Sequence, residues 1–142
     1  MREAVVLPPD IAAFLEQPGQ LAVLATLSHN GFPHLTPVWH LYAEATIWVW
    51  MRKQRQNYRN AERDSRVGLY IQAVADVHKG VTLQGEAQLC ETDLPTRCAQ
   101  IARRYVAPEA LEIWVEHMLY GKNGLLQITP VWCARNGSSW NL

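Results

Sequence analysis

Within eight positions the sequence sets four cations, Arg52, Lys53, Arg55 and Arg59, with Asn57 and Asn60 among them. They follow directly on "WVWM" (Trp48 to Met51), an aromatic and apolar run of strand character, and they lead into a stretch of helical character from Gln56 to Asp64. Side-chain directions are fixed at a strand end, and the first N–H groups of a helix have no partner within it, so together they suit an anion. A single phosphate fits this arrangement better than a polyanion does. The plainer alternative is a solvated turn between strand and helix, the usual fate of a charge cluster. On spacing alone both readings stand.

Few other residues carry chemistry by their pattern. There is no G-x-S-x-G, no Walker loop, no G-x-G-x-x-G after a strand and no H-E-x-x-H, so no catalytic side chain is assigned. The five histidines, His29, His34, His40, His78 and His117, lack metal-ligand spacing. His34 and His40 lie six apart, which strict strand alternation would place on one face, but no carboxylate stands in a matching register. No metal is expected. Trp48, Trp50 and Tyr58 beside the cations could stack nucleic-acid bases. Against that, 13 Lys plus Arg balance 13 Asp plus Glu, for a formal net charge of zero, and no second basic strip exists. No nucleic-acid partner is expected.

The elements around the cluster can be read from periodicity. Asp10 can cap a short helix carrying Ile11, Phe14 and Leu15. "LAVLATLS" (Leu21 to Ser28) reads as a strand buried on both faces, and Asn30-Gly31 as a hairpin turn. "HLTPVWHLY" (His34 to Tyr42) returns as one partner strand. Pro37 within it cannot donate to a ladder, which makes the strand an edge or bulges it. "TIWVWM", "RVGLYIQAV" and "GVTLQGEAQLC" are three further strands, the last with a bulge or close backbone approach at Gly85. A helical stripe of Leu94, Cys98, Ile101, Ala102 and Tyr105 precedes a second, of Leu111, Trp114, Val115, Met118 and Leu119, with Gly121 as its stop. "LLQITPVWCA" closes the chain.

This order predicts an α+β fold: a six-stranded antiparallel barrel, a short N-terminal helix and a helical pair before the last strand. The 142 residues, 49% of them apolar, form one domain, residues 1–142, with no repeat or linker. Three cysteines without a C-x-x-C, no run of about 18 apolar residues and no signal-peptide pattern in "MREAVVLPPD" place the chain in the cytoplasm, away from a membrane. Six tryptophans exceed what a barrel of this size readily hides, which points to a core or an interface rich in aromatics.

Three stretches together, "LAVLATLSHNGFPHLTPVWHLY", "RKQRQNYRNAERDSRVGLYIQ" and "GVTLQGEAQL", resemble the pyridoxamine 5'-phosphate oxidase-like family of flavin-binding split β-barrels over about residues 20–90. "ITPVW" resembles the family's closing strand more weakly. The resemblance implies a homodimer with FMN in a groove between protomers. It places His34, Thr36, Pro37 and Val38 along the flavin ring, and Trp50, Met51, Arg52, Lys53 and Arg55 around its phosphate. Asn57 stands where the family commonly has lysine or arginine. Either Arg52 and Lys53 supply that charge or the phosphate site is weakened or retuned. Ser65 replaces a usual proline in a turn. The implied function is an FMN-dependent oxidoreductase, with hydride transfer at flavin N5 to or from a small-molecule substrate. The alternatives are an F420-dependent reductase of the same fold and a non-catalytic flavin-binding module. No second basic cluster is available for a phosphorylated substrate, so oxidation of pyridoxamine phosphate itself is disfavoured.

Overall fold

The computed structural model describes residues 2–141. Its elements in chain order are α1 (Pro9–Leu15), β1 (Leu21–Leu27), β2 (Pro33–Val38), β3 (His40–Ala43), β4 (Thr46–Arg52), α2 (Gln56–Arg63), β5 (Arg66–Gln72), β6 (Gly80–Cys90), α3 (Leu94–Ala102), α4 (Leu111–Leu119) and β7 (Asn123–Asn136). Short 3₁₀ turns precede α4 and follow β7. Among the described residues no helix is long and apolar enough to cross a membrane.

All seven strands join one antiparallel sheet in the order β2-β1-β5-β6-β7-β4-β3. The two edge strands, β2 and β3, are separated by a single residue, Trp39. A flat sheet would hold its edges five strands apart. The covalent link therefore requires the sheet to roll up until its edges almost meet, giving a split barrel. The strand count corrects the sequence expectation of six. His34 to Tyr42 does not form one strand, because β2 pairs with β1 whereas β3 pairs with β4 on the opposite edge. The ladder on β1 ends one residue after Pro37, which has no N–H to give it, and β2 is the edge strand this proline calls for.

Two cores sit on either side of the sheet. Inside the roll, Ile11 and Phe14 from α1 plug a space lined by Leu24, Ile47, Val49 and Ile128. Outside it, Trp48 and Leu125 pack under α3 and α4 with Cys98, Ile101 and Met118. Strand β4 serves both cores by alternation: Ile47, Val49 and Met51 face in, Trp48 and Trp50 face the helices. The break in β6 falls where Gly85 announced it. The β6–β7 register shifts between Gln84 and Gly85, and a Cβ on Gly85 would lie 2.6 Å from Ile128 Cγ2.

The start of α1 differs from its sequence reading. Asp10 lies in the first turn of α1 and caps nothing from the N-cap position; its carboxylate accepts from Arg135 and from the Ile11 N–H. The β3–β4 hairpin turns on Glu44 and Ala45, both at positive φ (57° and 60°) without a glycine. Arg97 holds the Glu44 carboxylate at 3.1 Å to each oxygen, and Thr46 Oγ1 and Trp48 Nε1 donate to the Ala43 carbonyl.

Candidate functional site

One cleft of about 820 Å³ runs beside the β2 edge. Nine of the ten residues marked in the sequence line it: His34, Thr36, Pro37 and Val38 from β2, Trp50, Met51 and Arg52 from β4, and Arg55 and Asn57 at the start of α2. Lys53 does not. The next residue after the strand, it turns its ammonium group to the Glu91 carboxylate, which raises its pKa.

The geometry separates the cations by role. Arg52 follows Trp50 on the helix-facing side of β4, with its guanidinium 5.1 Å from the Trp50 ring centroid. It donates to the His117 carbonyl and to Asn123 Oδ1, each at 2.7 Å, and also to the Tyr120 carbonyl. These carbonyls belong to the last turn of α4 and the residue after it, where a helix lacks internal donors and its dipole is negative. Arg52 thus fastens α4 to β4. Arg59 lies outside the cleft and donates to the Gln54 carbonyl. Arg55 occupies the N-cap position of α2, is exposed and lines the cleft. Its side chain makes no hydrogen bond or ion pair among the described residues.

Beside Arg55 the first N–H groups of α2 are free of helical partners. Asn57 is buried, with Nδ2 3.5 Å from Thr36 Oγ1 and Oδ1 accepting from the Tyr58 N–H at 2.8 Å. It ties α2 to β2 and brings no charge. One turn on, Asn60 repeats the device by donating to Thr26 Oγ1 at 3.1 Å. Along β2 the backbone pairs with β1 on one side only, leaving polar groups on the other edge. Among the described residues no carboxylate lines the cleft, while two guanidinium groups do. The site therefore favours an anion.

A different stretch of the lining is aromatic: Trp39, Tyr105, Trp114 and His117. Trp39 and Tyr105 are parallel, with centroids 4.9 Å apart and planes at 3°. Behind them lies a closed polar group. Tyr105 Oη accepts from the His40 N–H at 3.2 Å and lies 2.9 Å from His40 Nδ1 and 3.1 Å from the Gln20 carbonyl. Arg104 stands 3.4 Å from His40 Nε2 and donates to the Leu15, Glu16 and Gln17 carbonyls at the end of α1. One tautomer gives each of these contacts a donor and an acceptor, while the buried Arg104 Nε has no partner among the described residues. Nδ1–H donates to Tyr105, Tyr105 donates to Gln20, and the bare Nε2 accepts from Arg104. Burial, and then the Arg104 charge, lower the His40 pKa to about 3. His34 and His40 accordingly share no site: one lines the cleft, the other is sealed beneath it.

Sequence reasoning missed the aromatic contribution. Tyr105 and Trp114 were assigned to core stripes, and Trp39 to the middle of a strand. The surplus of tryptophan was the one signal that an aromatic surface had to lie outside the barrel.

The rolled sheet, the free β2 edge and the α2 start beside it define a split-barrel protein with a cleft at its seam. A family model described as pyridoxamine 5'-phosphate oxidase matches residues 7–134, and the chain belongs to that family. Comparison with curated proteins finds no match. Among solved structures, the conserved hypothetical protein Rv2991 from Mycobacterium tuberculosis is 23% identical with a TM-score of 0.75, covering 94% of this chain and 86% of its own. A protein named F420 reductase is 16% identical with a TM-score of 0.72, covering 90% and 98%. HutZ, the heme storage protein from Vibrio cholerae, is 19% identical with a TM-score of 0.73, covering 97% and 100%. At these identities the likeness is one of fold.

Proposed function

We propose that the cleft holds a phosphorylated flavin cofactor, FMN or the deazaflavin F420, and that the protein is an oxidoreductase. The observation that carries this reading is the convergence, in a cleft lined by no carboxylate among the described residues, of an uncommitted guanidinium (Arg55), the first turn of α2 and the free edge of β2. In this reading Arg55 and the Gln56 and Asn57 N–H groups hold the phosphate. His34, Thr36, Pro37 and Val38 lie along the ring. Arg52 acts at one remove, by setting the position of α4. The cofactor supplies hydride transfer, at N5 in the flavin, so the chain needs no side chain as acid or base; it orients the ring and excludes water. The volume is within the range of cofactor sites, and the fold shared with a protein named F420 reductase supports the deazaflavin alternative.

A homodimer belongs to the same proposal. The outward face of β2 and β1 carries Leu35, Leu21, Val23 and Ala25, with Leu35 65% and Leu21 58% exposed. Leu21 and Pro37 border both this face and the cleft, so a second copy seated there would close the cleft.

The test is a titration of FMN, F420 and riboflavin into the parent protein and Arg55→Ala. A hydrogen bond to a charged group contributes about 1.5–3 kcal/mol, so FMN should weaken about 10- to 150-fold in the variant. Riboflavin, which lacks the phosphate, should be unaffected. Equal weakening of both ligands would show that Arg55 supports the fold alone, and no change in either would return the cluster to a solvated turn. An oxidoreductase is further expected to be bleached by a reduced nicotinamide and reoxidised by an acceptor. A protein that binds the cofactor and is inert to both is a carrier.

A further inference from the structure

Four rings from separate parts of the chain are fixed around one side of the cleft. Trp39 links the two sheet edges, Tyr105 follows α3, and Trp114 and His117 belong to α4. Tyr105 and Trp39 stack in parallel, and the Tyr105 hydroxyl is held at 2.9–3.2 Å by His40 and Gln20, so Tyr105 lines the cleft with its ring and no free hydroxyl. Trp114 meets Trp39 at 5.3 Å with a tilt of 52°, and the His117 ring stands nearly perpendicular to Trp114 at 5.6 Å. The His117 carbonyl is in turn fastened by Arg52 at 2.7 Å. Trp114 is nonetheless 40% exposed. A large aromatic side chain, oriented by neighbours on one side and left open on the other, is arranged to receive another flat surface.

We propose that Trp39, Tyr105, Trp114 and His117 form the substrate side of the cleft and select a flat, conjugated, uncharged molecule. The proposal rests on the cofactor reading above, which assigns Arg55 to a phosphate. With Arg52 committed to α4 and Arg55 to the cofactor, no lysine or arginine among the described residues remains in the cleft for a substrate anion. A cation could gain from the ring faces, but among the described residues no carboxylate lines the cleft to offset its charge and two guanidinium groups oppose it. An uncharged ligand incurs neither penalty. Flatness follows from the rings: stacked or edge-on aromatic contacts exceed simple area burial, and these rings are oriented in advance.

Three probes of similar size separate the contributions: 2-naphthol, decahydro-2-naphthol and the trimethylanilinium cation. Each is titrated by calorimetry, with and without saturating FMN, into the parent, Trp114→Ala, Trp114→Phe and, as a control on β7 away from the cleft, Trp132→Ala. In the parent 2-naphthol should bind about tenfold more tightly than its saturated counterpart, and the cation should not bind. Trp114→Ala should cost 2-naphthol about tenfold, Trp114→Phe should recover most of that loss, and Trp132→Ala should have no effect. FMN affinity should be the same in the parent and in Trp114→Ala. Equal affinity for the flat and saturated probes, binding of the cation, or indifference to Trp114→Ala would each overturn the proposal. A parallel loss of FMN affinity in Trp114→Ala would also overturn it, by giving these rings to the cofactor. If 2-naphthol behaves as expected while FMN and F420 fail to bind at all, the cofactor reading falls and the aromatic site stands.

Discussion

At the scale of single residues, charge in this protein is spent in two ways. Arg52 and Arg104 each close the carboxyl end of a helix, and both donate to backbone carbonyls there. Arg55 has no such duty, which is why it reads as the ligand-facing cation. Asn57→Lys, which places there the charge that the resemblance to the family implies, should tighten FMN only if the buried amide can be given up. Because Asn57 is buried and bridges to Thr36, we expect a loss of stability of about 1 kcal/mol or more to accompany any gain, visible as a lower urea midpoint. His40 gives a pH dependence with a definite sign. Its folded pKa is about 3 against an ordinary 6.5, so between those values the unfolded chain binds a proton that the folded chain refuses. Stability from this group is complete above pH 6.5 and falls by about 1.4 kcal/mol per pH unit below it. Urea unfolding at pH 7, 6 and 5, above the carboxylate range, should show that slope in the parent and a flatter one in His40→Gln. The same slope in both would remove His40 as its cause.

At the scale of elements, helix α4 and the β3–β4 hairpin are held by one arginine each. Removing the Arg52 guanidinium as Arg52→Met should cost about 1.5–3 kcal/mol, the value of charge-assisted hydrogen bonds. The loss should be local. Amide hydrogen exchange is expected to speed up in residues 111–120 while β5 and β6, paired on both sides, keep their protection. Uniform acceleration would mean that Arg52 supports the barrel as a whole. In the hairpin, Ala45 holds a left-handed φ of 60° that an L side chain adopts at a cost of about 1–2 kcal/mol. Ala45→Gly should therefore raise stability by about 0.5–1 kcal/mol after the added freedom of the unfolded chain is counted. A lower unfolding midpoint would show that the Ala45 methyl group packs better than its backbone suggests. Glu44 is unsuited to the same change, because Arg97 holds its carboxylate.

At the scale of the whole molecule, the seam of the barrel and the exposed apolar face adjoin. Leu35→Asp puts a charge on the β2 edge of that face without touching either core. Sedimentation equilibrium at micromolar concentration should give two 16.1 kDa chains for the parent and one for the variant. If the second copy completes the cleft, FMN affinity should fall with the dimer, by about tenfold or more for the loss of a whole wall. A parent of one chain would sink the dimer. A monomeric variant with full FMN affinity would mean that one chain makes the entire site.

Sequence periodicity and turn chemistry determined the elements. The helices and all but one strand were legible, because apolar alternation along β4 and the bulge at Gly85 are local consequences of local residues. The clustering of Arg52, Lys53 and Arg55 was legible for the same reason. Which of them faces the cleft was decided by tertiary structure: Glu91 is 38 residues from Lys53, and the carbonyls that hold Arg52 are more than 60 residues away. The split between β2 and β3 likewise depends on which strands are available at the two edges, a property of the closed sheet and not of "HLTPVWHLY". The aromatic wall lay furthest from reach. Trp39, Tyr105 and Trp114 satisfy the pattern of core residues wherever they stand, and only the rolling of the sheet beneath α3 and α4 brings them together at its seam.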